Sequence, residues 1–235
     1  MTMMRSAIYR LLFLAAVLAP GYGLYSGRLE IPNRWNPWAP LSIAEPLNWL
    51  TRFKLSRLLH DAGMCSAVLE QADMRYAPVA DRDAGAGCGY TNAVRVEATS
   101  ARVGDAFTLS CQSAVALALW EHHVVQPAAI AHFGARMSRL EHAGTYSCRN
   151  IYGRNDAPIS RHATADAIDV TGFALENGRR IRVDRDWGSG DADGLFLREA
   201  RDGACRVFDS VLGPDYNAAH RDHFHFDRGG WRACR

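Results

Sequence analysis

A chain of 235 residues, 48% hydrophobic and 22% charged, has enough apolar material for one domain with a sizeable core plus an appendage, which excludes a disordered or fibrous protein. Its formal net charge of +2 is too small for a nucleic-acid footprint, so no nucleic-acid partner is expected. Lys54 is the only lysine, and the excess of arginine over lysine names no partner either.

The chain opens "MTMMRSAIYRLLFLAAVLAPGYGLYSGR", with Arg5 and Arg10 ahead of an apolar run from Leu11 to Tyr25. That order marks a targeting segment rather than a piece of the fold. The run is about 15 residues, short for a span of ~20 unless Ser6 to Tyr9 join it, and no A-x-A cleavage site follows. Residues 1–26 therefore read as a signal anchor or signal peptide, with the uncleaved anchor favoured. Residues 27–54 carry four of the nine prolines and three tryptophans, a stiff spacer leading to a globular domain over 55–235.

Six cysteines, at 65, 88, 111, 148, 205 and 234, follow the targeting segment, and an even count on an exported chain predicts three disulfides. No two lie two to four residues apart, which excludes zinc-finger spacing. Six cysteines allow 15 pairings. The simplest expectation joins neighbours: 65 with 88, 111 with 148, 205 with 234.

Within the domain, "LSRLLHDAGMCSAVLEQA" has helical apolar spacing and "NAVRVEA" alternates as a strand. Residues 110–134 give the strongest helix signal, ended by Gly134, with Pro127 marking a break or a second helix start. His122 and His123 fall on it about 100° apart and read as surface or packing residues, not as a metal pair. "DAIDVTGFAL" and "RRIRVDRDW" predict a hairpin around "ENG", and "LFLREARDGACRVFDSVLG" a further amphipathic helix.

That helix leads to "HRDHFHFD", which holds three of the nine histidines within six positions. On a strand, His223 and His225 point one way and Phe224 and Phe226 the other, giving a functional face and a core face. In "ISRHATADAIDV", Ile168 and Val170 would face the core and put Asp169 with Ala167 opposite, while His162 lies on the entering loop. His162, Asp169 and His225 together would form a three-ligand zinc site with the fourth position open to water, the composition of catalytic zinc.

The stretch S-R-H-A-T-A-D-A-I-D from Ser160 to Asp169 resembles the S-x-H-x-x-G-x-A-x-D signature of the LAS metallopeptidases, which include D-alanyl-D-alanine peptidases and murein endopeptidases. Ala165 replaces the usual glycine. H-F-H at 223–225 resembles their H-x-H motif, and His220 stands where the murein endopeptidases have a further active-site histidine. More closely, "CGYTNAVRV", "YSCRN", "ISRHATADAIDVTGF" and "LGPDYNAAHRDHFHFD" resemble the bacterial extensin-like C-terminal domain over most of residues 60–235.

The resemblance implies an α+β fold with a small antiparallel sheet flanked by helices, and a Zn2+-dependent hydrolase acting on peptidoglycan peptides in the bacterial periplasm. It makes the last histidine of H-x-H the ligand, leaving His223 as general base and His220 to orient substrate or share the proton. Arg149 is the best match to the family's upstream arginine, for the oxyanion, with Arg154 second. Ser160 lacks a nucleophile-elbow setting and reads as a hydrogen-bonding group near the ligand loop. Tyr216 and Trp187 are candidates for the cleft wall or the core. The expected activity is D,D-endopeptidase or D,D-carboxypeptidase, by a monomer. The alternatives are a non-catalytic wall-peptide-binding module, which would have no need of His220 and His223, and hydrolysis of a non-wall peptide or ester.

Overall fold

The computed structural model describes residues 2–235 and divides into two units, residues 1–39 and Pro40–Arg235. The first contains helix α1 (Thr2–Tyr25), whose stretch Ile8–Tyr25 is long and apolar enough for a membrane anchor or a signal sequence. The second takes in the end of the proline- and tryptophan-containing segment. There Leu41, Ile43 and Leu50 are buried, and the Ile43 carbonyl lies 2.8 Å from His123 Nε2.

Helices α2 (Thr51–Arg57) and α3 (Ala62–Leu69) divide what the apolar spacing predicted as one helix. Asp61 breaks it: its backbone is extended, and its carboxylate caps α3 by accepting from the Met64 N–H at 2.8 Å. Strands β1 (Arg75–Val79), β2 (Arg82–Gly85), β3 (Cys88–Tyr90), β4 (Ala93–Ala98) and β5 (Arg102–Ser110) follow. Helix α4 (Cys111–Trp120) continues through a π-helical turn, Glu121–Val125, into α5 (Gln126–Phe133), which Gly134 ends at φ +63°. Pro127 starts α5 after the wide turn, where its missing N–H is tolerated. His122 is exposed and His123 half-buried, a surface and a packing residue as expected.

Then come β6 (Met137–Gly144), β7 (Ala167–Leu175), β8 (Arg180–Arg182), α6 (Val183–Asp186), α7 (Ala192–Ala204), β9 (Ser210–Leu212), β10 (Phe224–Asp227) and β11 (Ala233–Cys234). The main sheet has nine strands, ordered β1-β4-β5-β6-β7-β10-β9-β11 with β8 also on β7. The mixed α and β content agrees with the expected class, but the sheet is neither small nor wholly antiparallel, because β5 pairs with β6 and β9 with β11 in parallel. Strand β9 lies in what the sequence predicts as part of a helix. The helix expected to run to Gly213 stops at Ala204, and Val207, Phe208 and Val211 are buried beside β10, where strand pairing outweighs helical spacing. Likewise "RRIRVDRDW" is a strand only over Arg180–Arg182 before α6 turns it.

The core lies on the sheet face that carries Phe224 and Phe226 of β10 and Ile168, Val170 and Phe173 of β7. Trp120 packs edge-on against Phe226 at 5.1 Å and donates from Nε1 to the Ala200 carbonyl at 2.8 Å, tying α4 to α7.

All six cysteines are bridged, as 65–111, 88–148 and 205–234. Only the last follows the neighbour rule. Cys65 on α3 meets Cys111 at the start of the adjacent helix α4, and Cys88 on the β2–β3 hairpin reaches across to the loop after β6. A digest of the unreduced protein is expected to yield these three linked peptides, with near-zero thiol on titration after unfolding. A 65–88 linkage would contradict the fold.

Candidate metal centre

The antiparallel register of β10 on β7 sets His225 directly opposite Asp169, with Phe224 opposite Val170 and Phe226 opposite Ile168. Since the apolar pairs fill the core, strand alternation places His225 and Asp169 together on the other face. His162 joins them from a 3₁₀ turn, Arg161–Thr164, capped by Ser160, whose Oγ accepts from the His162 N–H at 3.3 Å. That is the hydrogen-bonding role expected of Ser160. The turn closes at Ala165, fully buried at φ +55°. A left-handed residue with a Cβ costs about 1–2 kcal/mol, which is the physical reason a glycine suits this position. Asp166 fixes the turn to the body of the domain, accepting from Ser110 Oγ at 2.6 Å and Thr164 Oγ1 at 2.7 Å.

His162 Nε2 lies 3.2 Å from Asp169 Oδ1 and 3.2 Å from His225 Nδ1, and His225 Nδ1 lies 2.9 Å from the same carboxylate oxygen. The outer nitrogens fix the proton positions. His162 Nδ1 donates to the Thr145 carbonyl, so its Nε2 is a lone pair when the ring is neutral. His225 Nε2 donates to Asp227 Oδ2 at 3.2 Å, so its Nδ1 is likewise a lone pair. Three acceptors therefore converge on one point, and a positive charge must sit among them. Where that charge is a proton, it belongs to His225: burial alone would lower its pKa, but Asp169 and Asp227 outweigh burial and raise it to about 9. Burial would push the Asp169 carboxyl up, yet its hydrogen bonds to His162 and His225 hold it well below the usual range.

The same donor set suits a divalent cation. The ligand atoms lie within 4.8 Å of one another, and tetrahedral bonds of ~2.1 Å would separate them by about 3.4 Å, close to the distances present. The backing of each imidazole by a carbonyl or carboxylate is the arrangement that orients metal-binding histidines.

The cluster opens into a cleft of about 490 Å³ that His220, His223 and Arg149 also line. His223 Nε2 is 3.6 Å from Asp169 Oδ1, and its Nδ1 donates to Asp222 at 2.9 Å. The His220 ring lies 5.3 Å from His223 and 5.8 Å from His225, and burial followed by those two neighbours pushes its pKa down to about 4. Arg149 is exposed on the cleft wall, whereas Arg154 is engaged with Asp156 at 2.7 Å and does not line it. Tyr216 lines the cleft; Trp187 packs on Phe224 at 5.4 Å instead.

Two carboxylates at the site escaped the sequence reading. Asp227 follows His225 by two residues and so shares its strand face, a signal that period-two spacing could have supplied. Asp222 is adjacent to His223, and its orientation depends on the turn before β10. A family model described as Extensin-like protein C-terminus matches residues 63–235. No curated protein and no solved structure matches the chain.

Proposed function

The chain belongs to the extensin-like protein C-terminus family, and on that footing we propose that it is a zinc-dependent peptidoglycan peptidase with a LAS-type catalytic arrangement. The observation that carries this reading is the convergence of three acceptors, from His162, Asp169 and His225, in a cleft that two further imidazoles line. The helix over Ile8–Tyr25 supports placing the domain in the periplasm, anchored to the cytoplasmic membrane.

His162, Asp169 and His225 would hold the zinc, which when bound supplies a Lewis acid for the scissile carbonyl and an acidified water. His223 takes the proton of the attacking water on Nε2 and hands it to the leaving amine. Asp222, accepting from Nδ1, stabilises the imidazolium formed between those steps. Arg149 meets the negative charge that develops on the carbonyl oxygen. The exposed Tyr152 and Trp231 give the cleft mouth apolar surface against which a peptide can lie.

Zinc must displace the proton that His225 holds, so binding and pH are linked. Below pH about 9, zinc binding is expected to release about one proton per chain and to weaken about tenfold for each unit the pH falls. Titration calorimetry in buffers of different ionisation enthalpy measures that release; zinc uptake at pH 7 with no proton released would contradict the assigned protonation.

The activity is tested by digesting purified peptidoglycan with the zinc-loaded protein and identifying fragments by mass spectrometry. Loss of cross-linked dimers identifies a D,D-endopeptidase, and loss of terminal D-alanine alone a D,D-carboxypeptidase. Peptidoglycan bound but unchanged would refute the peptidase and leave a wall-binding module.

A further inference from the structure

Asn217 has no part in the scheme above, yet its side chain decides where a proton sits in the cleft. Its Oδ1 accepts from the Ala219 N–H at 3.0 Å, which identifies that end of the amide as the oxygen. The same Oδ1 lies 2.8 Å from His220 Nδ1, and an amide oxygen cannot donate, so Nδ1 carries the proton. In the neutral ring Nε2 is then an acceptor, and among the described residues no protein group bonds to it.

Asn217 is held in turn. Its Nδ2 donates to the Tyr152 hydroxyl at 2.8 Å, and Tyr152 sits at φ +57° in the turn Ile151–Gly153, a left-handed conformation that residues with a Cβ adopt only under constraint. The rings of Tyr152 and Tyr216 meet His220 edge-on at 6.3 and 5.5 Å. A strained tyrosine and an amide bonded at both its oxygen and its nitrogen thus serve to orient one buried imidazole.

We propose that Asn217, backed by Tyr152, is a positioning residue that locks His220 in the Nδ1–H tautomer, so that Nε2 is a fixed acceptor for one hydrogen of the attacking water. The inference rests on the peptidase reading. The two histidines divide the water between them. His223, backed by a carboxylate, removes one hydrogen as a proton and delivers it to the leaving nitrogen, while the hydroxyl adds to the carbonyl carbon. His220, backed by a neutral amide, accepts a hydrogen bond from the other hydrogen and aims the oxygen lone pair. No bond to His220 forms or breaks.

The test uses the full chain labelled with ¹⁵N-histidine, with long-range ¹H–¹⁵N spectra of wild type and Asn217→Leu; His220 is identified by difference against His220→Gln. The wild type is expected to show His220 protonated on Nδ1, and Asn217→Leu to lose that preference while its zinc content and unfolding temperature stay close to wild type. In peptidoglycan cleavage, Asn217→Leu is expected to lose about 10- to 100-fold in kcat with KM unchanged, the scale of losing an orienting partner. Wild-type His220 protonated on Nε2 overturns the proposal even if the variant misfolds. A variant with altered tautomer but full kcat overturns the water-aiming role, and so does a raised KM with kcat intact, which makes His220 a substrate-binding group. Wild type that shows the lock but cuts no peptidoglycan supports the tautomer assignment and refutes the peptidase reading, so the two failures are distinguishable.

Discussion

Replacing His225 by Ala is expected to abolish zinc binding and hydrolysis together, whereas replacing His223 by Ala should leave zinc in place and lower hydrolysis by about 10²- to 10⁴-fold. The two residues lie two apart, His223 just before β10 and His225 within it, and their surroundings differ. His225 Nδ1 is 2.9 Å from Asp169 Oδ1, and its far nitrogen is anchored on buried Asp227. His223 Nε2 stands off at 3.6 Å, with its far nitrogen on the exposed Asp222. The proposed ligand is the ring backed by a buried carboxylate and facing two other acceptors, and the proposed base is the ring one step outside. Elemental analysis beside peptidoglycan digestion separates the two. Loss of zinc in His223→Ala equal to that in His225→Ala would make His223 a ligand, and full zinc with full activity would move the base elsewhere.

The second large effect is on stability. Phe226→Ala should cost about 3–5 kcal/mol, because the ring is fully buried, stacks on Phe208 at 5.1 Å and meets Trp120 edge-on at 5.1 Å. These contacts join β10, α4 and the segment after α7, which cannot collapse onto the cavity without moving the strand that carries His225. Denaturant unfolding should show a lower midpoint with little change in slope, while Leu195→Ala, half exposed on α7, should stay within about 0.5 kcal/mol of wild type. A Phe226→Ala protein within 1 kcal/mol of wild type would mean that the core is not built on this face of the sheet.

Two of the candidate ligands, Asp169 and His225, were legible in the sequence because each depends on local geometry. Strand alternation assigns Phe224 and Phe226 to the core and His225 to the opposite face, and Ile168 and Val170 do the same for Asp169. What brings the two halves together, the pairing of β10 with β7, is a long-range register that no local pattern contains. Asp227 was within reach of the same alternation and was missed because no motif drew attention to it. Asn217 and Tyr152 lie 65 residues apart, and their hydrogen bond exists only once the loop after β6, stapled by Cys88–Cys148, faces the turn before β10. Two of the three disulfide pairings departed from expectation for a related reason: the fold brings Cys88 to Cys148 past the intervening Cys111, which Cys65 takes instead. Residues 207–212 misled because a short apolar run fits a helix end and a short strand equally well, and tertiary pairing made the choice.

On the proposed reading, His162, Asp169 and His225 hold one zinc ion with a position left open to the cleft. Anomalous diffraction at the zinc edge, from crystals of the zinc-loaded protein, tests it most directly. One peak per chain is predicted, about 2.0–2.2 Å from His162 Nε2, an Asp169 carboxylate oxygen and His225 Nδ1, with no fourth protein ligand. Crystals from zinc-replete solution with no peak at these residues, or with His223 closing the coordination shell, would rule out a three-ligand site with an open position.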